Sequence, residues 1–156
     1  MDAMDKFILR ALQSDARQKN ADLARALEAA PSTVLERIRR LEQQGFFKGF
    51  RAVLDPAKLG YQVQALISVS LGQHTTDTIR PFERAVQDIP FVTMCYHVTG
   101  RFDYILQVLA KDLSHLGQLV KEQIASIPGV GKTETFIVYS EVKSGGLYPV
   151  DPEEAS

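Results

Sequence analysis

The sequence predicts an α+β fold in two modules, a trihelical unit followed by a β-α-β-β-α-β sandwich, and three observations carry that reading. Apolar residues recur at helical spacing through the first 45 positions and switch to strict alternation at Gln62. The break between the two regimes falls at Asp55-Pro56, a turn dipeptide. The second half also repeats its own punctuation, with Ile89-Pro90-Phe91-Val92 echoed by Ile127-Pro128-Gly129-Val130.

In the first module Met4, Ile8, Ala11 and Leu12 form one stripe, with Asp2 and Asp5 at the end where a helix favours acids. Asn20 is a good N-cap for a second helix that turns Leu23, Ala24 and Leu27 inward. Pro31 suits the first turn of a third helix, and Gly45 ends it. The aromatic, β-prone stretch from Phe46 to Leu54 predicts a small hairpin around Gly49. Together these elements describe an N-terminal winged helix-turn-helix over residues 1–52, with a linker at 53–61.

In the second module Val63, Ala65, Ile67, Val69 and Leu71 mark one face of a strand. A helix follows with Ile79, Phe82, Val86 and Ile89 on one side. Strands at Phe91–Val98 and Tyr104–Ala110 flank the turn Thr99-Gly100-Arg101-Phe102. Asp112 caps a helix bearing Leu113, Leu116, Val120, Ile124 and Ile127, and a last strand spans about 132–142. This order is the C-terminal βαββαβ ferredoxin-like sandwich, over residues 62–143. Two helices cover one face of a four-stranded sheet, yet Cys95, Ile105, Leu109 and Phe136 make several strands apolar on both sides. A second subunit is the expected cover. The Gly/Pro-rich, acidic residues 144–156 read as a tail that is mobile unless a partner holds it.

Composition narrows the function. The 156-residue chain carries a net charge of −1, but residues 1–52 hold ten Lys/Arg against seven Asp/Glu and the remainder eight against twelve. A basic amino half on an acidic body suits a reader of double-stranded DNA joined to a module with another task. No apolar run approaches the roughly 20 residues of a membrane span. The acidic start MDAMDK does not resemble a secretory signal, so a cytoplasmic protein without a membrane partner is expected. The single cysteine, Cys95, excludes an internal disulfide and reads as packed within its strand. His74, His97 and His115 fall in separate elements without metal-ligand spacing, so no metal, cofactor or catalytic residue is expected. Gly129-Val130-Gly131-Lys132-Thr133 lacks the upstream glycine spacing of a phosphate loop and leads into a strand.

On the third helix Val34, Ile38 and Leu41 form the buried stripe. Ser32, Glu36, Arg39, Arg40 and Gln43 point away, with Thr33 and Arg37 on the flanks, and these seven are the candidate DNA contacts. Arginine forks onto guanine or clamps phosphate, serine and threonine take phosphates or base edges, and glutamate accepts from cytosine. The same residue types also furnish an ordinary solvated face, and only the position on a third helix before a β-prone segment favours DNA. A second candidate site is the turn carrying Thr99, Gly100, Arg101 and Asp103. Gly100 lets backbone N–H groups face a carboxylate, and Asp103 offers a partner for an ammonium. The alternative is a plain hairpin glycine with a turn aspartate.

Asp5-x-x-Ile8-Leu9-x-x-Leu12-x-x-Asp15-Ala16-Arg17, Pro31-Ser32-Thr33-Val34-Leu35-x-Arg37-Ile38-x-x-Leu41-Glu42-x-x-Gly45, Leu54-Asp55-Pro56, Thr99-Gly100-x-x-Asp103-Tyr104 and Pro128-Gly129-Val130 together resemble the Lrp/AsnC family of transcription regulators. The resemblance covers residues 4 to about 142. It implies that the Pro31 helix enters the DNA major groove, that the carboxyl module builds homodimers and often octamers, and that an amino acid bound near the Thr99–Asp103 turn is the effector. It also admits an enzymatic alternative of the sirohaem decarboxylase type, for which His97 is the candidate, and a ligand-binding assembly protein without DNA binding; neither needs the Arg-bearing third helix. Three departures stand out. Glu28 replaces the usual turn glycine, Ala30 replaces the usual serine cap, and Arg101 replaces a common acidic residue.

Overall fold

A computed structural model of the chain describes residues 1–73 and 75–151, and places them in two units. The first comprises residues 1–53 with the segment that returns after Val142; the second runs from Leu54 to Val142. Grouping the returning segment with the head is a division that linear order does not indicate.

The head holds α1 (Ala3–Ser14), α2 (Asn20–Ala26) and α3 (Pro31–Gln43). Asp2 caps α1 by accepting from the Asp5 amide, and Asp5 answers by accepting from the Asp2 amide, a reciprocal box. Asn20, expected as the cap of α2, is instead its first helical residue; Lys19 takes the cap position and makes no side-chain bond there. α3 begins after Ala30 without a side-chain cap and with Pro31 in its first turn. Ile8, Leu9, Leu12, Leu23, Ala24, Val34, Ile38 and Leu41 form the buried core, as their helical spacing requires.

α2 and α3 end in the same way. After α3, Gly45 takes a left-handed φ of 77°, its N–H donates to the Glu42 carbonyl, and the next N–H reaches Leu41. After α2, Glu28 stands at φ 51°, its N–H donates to Arg25 and that of Ala29 to Ala24. Both are the six-to-one, five-to-two closure that glycine makes without strain. Glu28 makes it with a side chain.

The expected hairpin over Phe46–Leu54 is absent: this stretch is irregular, with no strand pairs. Phe47 packs against the head core and its ring lies 5.3 Å from that of Phe50. An isolated two-stranded ribbon is marginal without a third strand or a helix beneath it, and β-prone residues alone do not supply one. The head is thus a helix-turn-helix without a paired wing.

In the second unit a single 3₁₀ turn, Ala57–Leu59, precedes β1 (Val63–Leu71), α4 (Thr76–Gln87), β2 (Val92–His97), β3 (Tyr104–Ala110), α5 (Leu113–Gln118), a π-helical continuation Leu119–Ile124, and β4 (Val130–Ile137). The strands are antiparallel in the order β2-β3-β1-β4, which is the split arrangement that the sequence predicts. β4 starts and ends earlier than expected, and Leu113 is exposed rather than inward. Asp112 caps α5 as its position predicts, accepting from the His115 amide at 2.7 Å.

The alternation of β1 decides the layers. Ala65, Ile67, Val69 and Leu71 face the helices, against Tyr104, Leu106, Val108 and Ala110 of β3 and Phe82, Val86, Leu116, Leu119 and Ile124 of the helical layer. The opposite face carries Leu66, Met94, Tyr96 and Phe136, each between 39% and 54% exposed. At its centre Ser68 is fully buried, its hydroxyl without a partner among the described residues. Among the described residues no helix is long and apolar enough to cross a membrane.

Candidate nucleic-acid interface and effector loop

α3 sorts the seven candidate DNA residues into two groups. Ser32, Glu36, Arg39 and Gln43 are exposed and follow one another at intervals of four, three and four, so they form one stripe along the helix. Thr33 lies half-buried beside it. Arg37 and Arg40 belong to a second group that meets the start of α1. The Arg40 Nη2 donates to both carboxylate oxygens of Asp5 at 2.8 and 2.7 Å, and Arg37 Nη1 donates to Asp5 at 3.2 Å and to Asp2. Asp5 is 2% exposed. Arg40, expected to point outward, is therefore tied into the fold, although its side chain remains about half open.

This clamp has a simple electrostatic logic. The Asp5 amide, and then the Arg37 guanidinium, hold the Asp2 carboxyl below its ordinary range, while Asp2 and then Asp5 raise the Arg37 pKa. Each acid thus caps the α1 N-terminus and anchors α3 at once. The signal was present in the sequence as two matching spacings, Asp2-x-x-Asp5 and Arg37-x-x-Arg40, but sequence reasoning treated the acids as helix-dipole partners alone.

The turn between β2 and β3 gathers Thr99, Gly100, Arg101 and Asp103. Gly100 has φ 119°, a conformation that favours glycine. Asp103 is held from two sides: its amide donates to the Val69 carbonyl, and its carboxylate accepts the Leu71 amide at 2.7 Å. Asp103 thus fastens the end of β1. The exposed Arg101 guanidinium stacks over the Phe102 ring at 4.5 Å and donates to Glu134 of β4 at 3.1 Å. Lys132 reaches the other oxygen of Glu134 at 2.8 Å; the Lys132 hydrogen bond, and then the charge of both cations, hold this carboxyl below its usual range. Glu134 and Lys132, which the sequence alone did not assign to this site, extend the loop's polar cluster onto β4. Thr99 is exposed at the mouth of the turn.

A cleft between α4 and β2 gathers Cys95, His97, Tyr104 and Glu83. Cys95, expected to be packed, is exposed. β2 is an edge strand, and the two helices shield the central strands rather than the edges. His97 stacks on Tyr104 with ring centres 4.6 Å apart, and the buried Tyr104 hydroxyl donates to Glu83 at 3.0 Å. Burial, and then Glu83, push the Tyr104 pKa up, and partial desolvation within the cleft, and then the Glu83 charge, do the same to the otherwise exposed Cys95 thiol. Among the described residues no three His, Cys, Asp or Glu side chains are grouped to hold a metal; His74 lies outside those residues.

Comparison with known proteins matches this arrangement in both units. Residues 1–42 fit the AsnC-type helix-turn-helix domain, and residues 64–148 fit the Lrp/AsnC ligand binding domain. The leucine-responsive regulatory proteins of Escherichia coli and Salmonella typhimurium are each 36% identical over 143 residues, which is 92% of this chain and 87% of theirs. A transcriptional regulator of Neisseria meningitidis, solved as a complex with L-Met, superposes with a TM-score of 0.92 at 30% identity, over 97% of both chains. Escherichia coli AsnC gives 0.85 at 27% identity, over 92% of this chain and 95% of its own. With a matched helix-turn-helix, a matched ligand-binding domain and relatives along nearly its whole length, the chain belongs to the Lrp/AsnC family of DNA-binding transcription regulators.

Proposed function

We propose that this regulator reads double-stranded operator DNA through the outer stripe of α3, as a dimer closed over the open sheet face, and that a free amino acid is its effector. The stripe itself is the observation that carries the reading. Ser32, Glu36, Arg39 and Gln43 lie in register on a helix whose opposite side is fully packed. That is a surface of side chains that can contact base edges and phosphates. Arg37 and Arg40 then serve mainly to hold this helix against α1, with the open part of Arg40 beside the stripe.

The uncovered sheet face supports a homodimer, since Leu66, Met94, Tyr96 and Phe136 are more apolar than a solvated face requires. The Gly100 turn supports the effector: it offers backbone donors to a carboxylate, with Asp103 and Glu134 as acids for an ammonium. A meningococcal neighbour was solved with L-Met, in keeping with that chemistry. We read the chain as a regulator without catalysis; the exposed α3 stripe has no task in an enzyme of this fold.

The test is selection of bound fragments from genomic DNA, followed by fluorescence anisotropy on the recovered site with and without each free amino acid. Arg39→Ala is expected to weaken binding by about 1–3 kcal/mol if Arg39 reads a base, or to weaken all sequences alike with a flatter salt slope if it holds phosphate. Its melting temperature should not move. Unchanged affinity would remove the stripe from the reading role. Affinity that no amino acid alters at millimolar concentration would remove the effector.

A further inference from the structure

After β4 the chain returns to the head, and its last described residues lie along α1. The contacts follow one stripe of that helix, Lys6, Leu9, Arg10 and Gln13, at spacings of three and four. Gln13 pairs with the backbone of Tyr148 in both directions. The Tyr148 amide donates to Oε1 at 2.8 Å, and the Tyr148 carbonyl accepts from Nε2 at 3.2 Å. The Tyr148 residue itself is 83% exposed, so the helix reads the peptide and not the ring. Val150 packs against the head core. The Asp151 carboxylate sits between Lys6 Nζ at 2.5 Å and Arg10 Nη2 at 3.3 Å. A cleft of about 740 Å³ is lined on one side by Leu9, Phe46 and Phe47 and on the other by the returning residues Gly145–Val150.

Cation, apolar patch and carboxamide on α1 thus meet acid, valine and bare backbone on the returning segment, in matching order. The chain also passes between its two units twice, once at Val53–Leu54 and again at Val142–Lys143. A unit tied by two segments has fewer orientations open to it than one tied by a single linker.

We propose that this stripe of α1 is a docking groove for the chain's own carboxyl-terminal segment, and that the resulting clasp, controlled by the charge of Asp151, limits how far the DNA head can reorient. The functional half rests on the DNA-binding reading above; the clasp itself does not. Its ion pairs are partly solvated and therefore weaken with salt, which makes it a releasable fastening rather than a permanent one.

Hydrogen exchange on the full chain tests the clasp without DNA. The Tyr148 amide is expected to exchange about tenfold or more slowly than in an unstructured peptide, because opening must precede exchange. Asp151→Asn and Lys6→Glu should each return it toward the unstructured rate, and Lys6→Glu combined with Asp151→Lys should restore protection. An unprotected amide in the native chain overturns the proposal. Anisotropy on operators whose half-sites are respaced by about half a turn, roughly 5 base pairs, tests the consequence. The native chain should lose most of its affinity there, and Asp151→Asn should lose several-fold less. A protected amide with identical spacing tolerance in both proteins overturns the role of the clasp in restraining the head. Failure of both proteins to bind any duplex would instead defeat the DNA-binding reading, and the exchange rates would still decide the clasp.

Discussion

Phe82→Ala is expected to destabilise the C-terminal unit by about 3–5 kcal/mol while leaving the head's transition in place. Phe82 has no exposed surface, and its ring lies 4.6 Å from that of Tyr104, so it joins α4 to β3 at the middle of the core. Truncation removes the ring from both partners and leaves a void that the antiparallel sheet cannot close. It also loosens the neighbouring Glu83, which accepts from the Tyr104 hydroxyl. A domain of this size has a total stability of only about 5–15 kcal/mol, so the loss is a large share of it. The two cores share no residue, which is why the head is spared. Calorimetry on the full chain checks this, with Phe82→Leu as a milder control. A loss below about 1 kcal/mol would show that the site repacks freely and that the α4–β3 contact is not central.

The second large effect concerns assembly. Leu66 and Phe136 face each other across β1 and β4 on the open side of the sheet, 39% and 47% exposed. In a monomer Leu66→Glu and Phe136→Glu would be tolerated, since a charge there remains in water. In a symmetric dimer each substitution places two unpaired carboxylates in an apolar contact, a cost that is multiplied by the symmetry. The double variant is expected to run as a folded monomer in light scattering where the native chain runs as a dimer or larger. Its association constant should fall at least about a hundredfold, the scale set by losing an interface anchor. A native chain that is already monomeric, or a variant that still assembles on the same scale, would show that the open face is not the contact.

Much of this architecture is legible in the sequence because it is written in periods. The alternation of β1 names the buried face, the spacing of Val34, Ile38 and Leu41 names the packed side of α3, and the echoed Ile-Pro punctuation names the two halves of the sandwich. What escaped is set by distance in the chain. The Asp5–Arg40 pair spans 35 residues and the Tyr148–Gln13 pair 135, and no local pattern announces either. Alternation also states which residues share a face but not whether a helix lies over them. Cys95 sits on the helical side of β2 and is nevertheless exposed, because an edge strand lies outside the cover. The hairpin expected at Phe46–Leu54 failed for the opposite reason, since its composition is right but no neighbouring strand completes it.

The turn at Glu28 bears on how such a head diverges. A left-handed residue with a side chain costs about 1–2 kcal/mol relative to one without, partly offset because glycine frees the unfolded chain. Gly45 closes α3 with the same bonds and none of that strain. Glu28→Gly is therefore expected to gain stability at a position off the α3 stripe, leaving the residues proposed to read DNA untouched. Most substitutions destabilise, and a fold tolerates them only while margin remains. A lineage that acquired glycine at position 28 would have more room to alter Ser32, Glu36, Arg39 or Gln43 before its head unfolded. With glutamate there, less of that margin remains, and on the proposed reading a backbone angle at one turn bears on how freely the α3 stripe can vary.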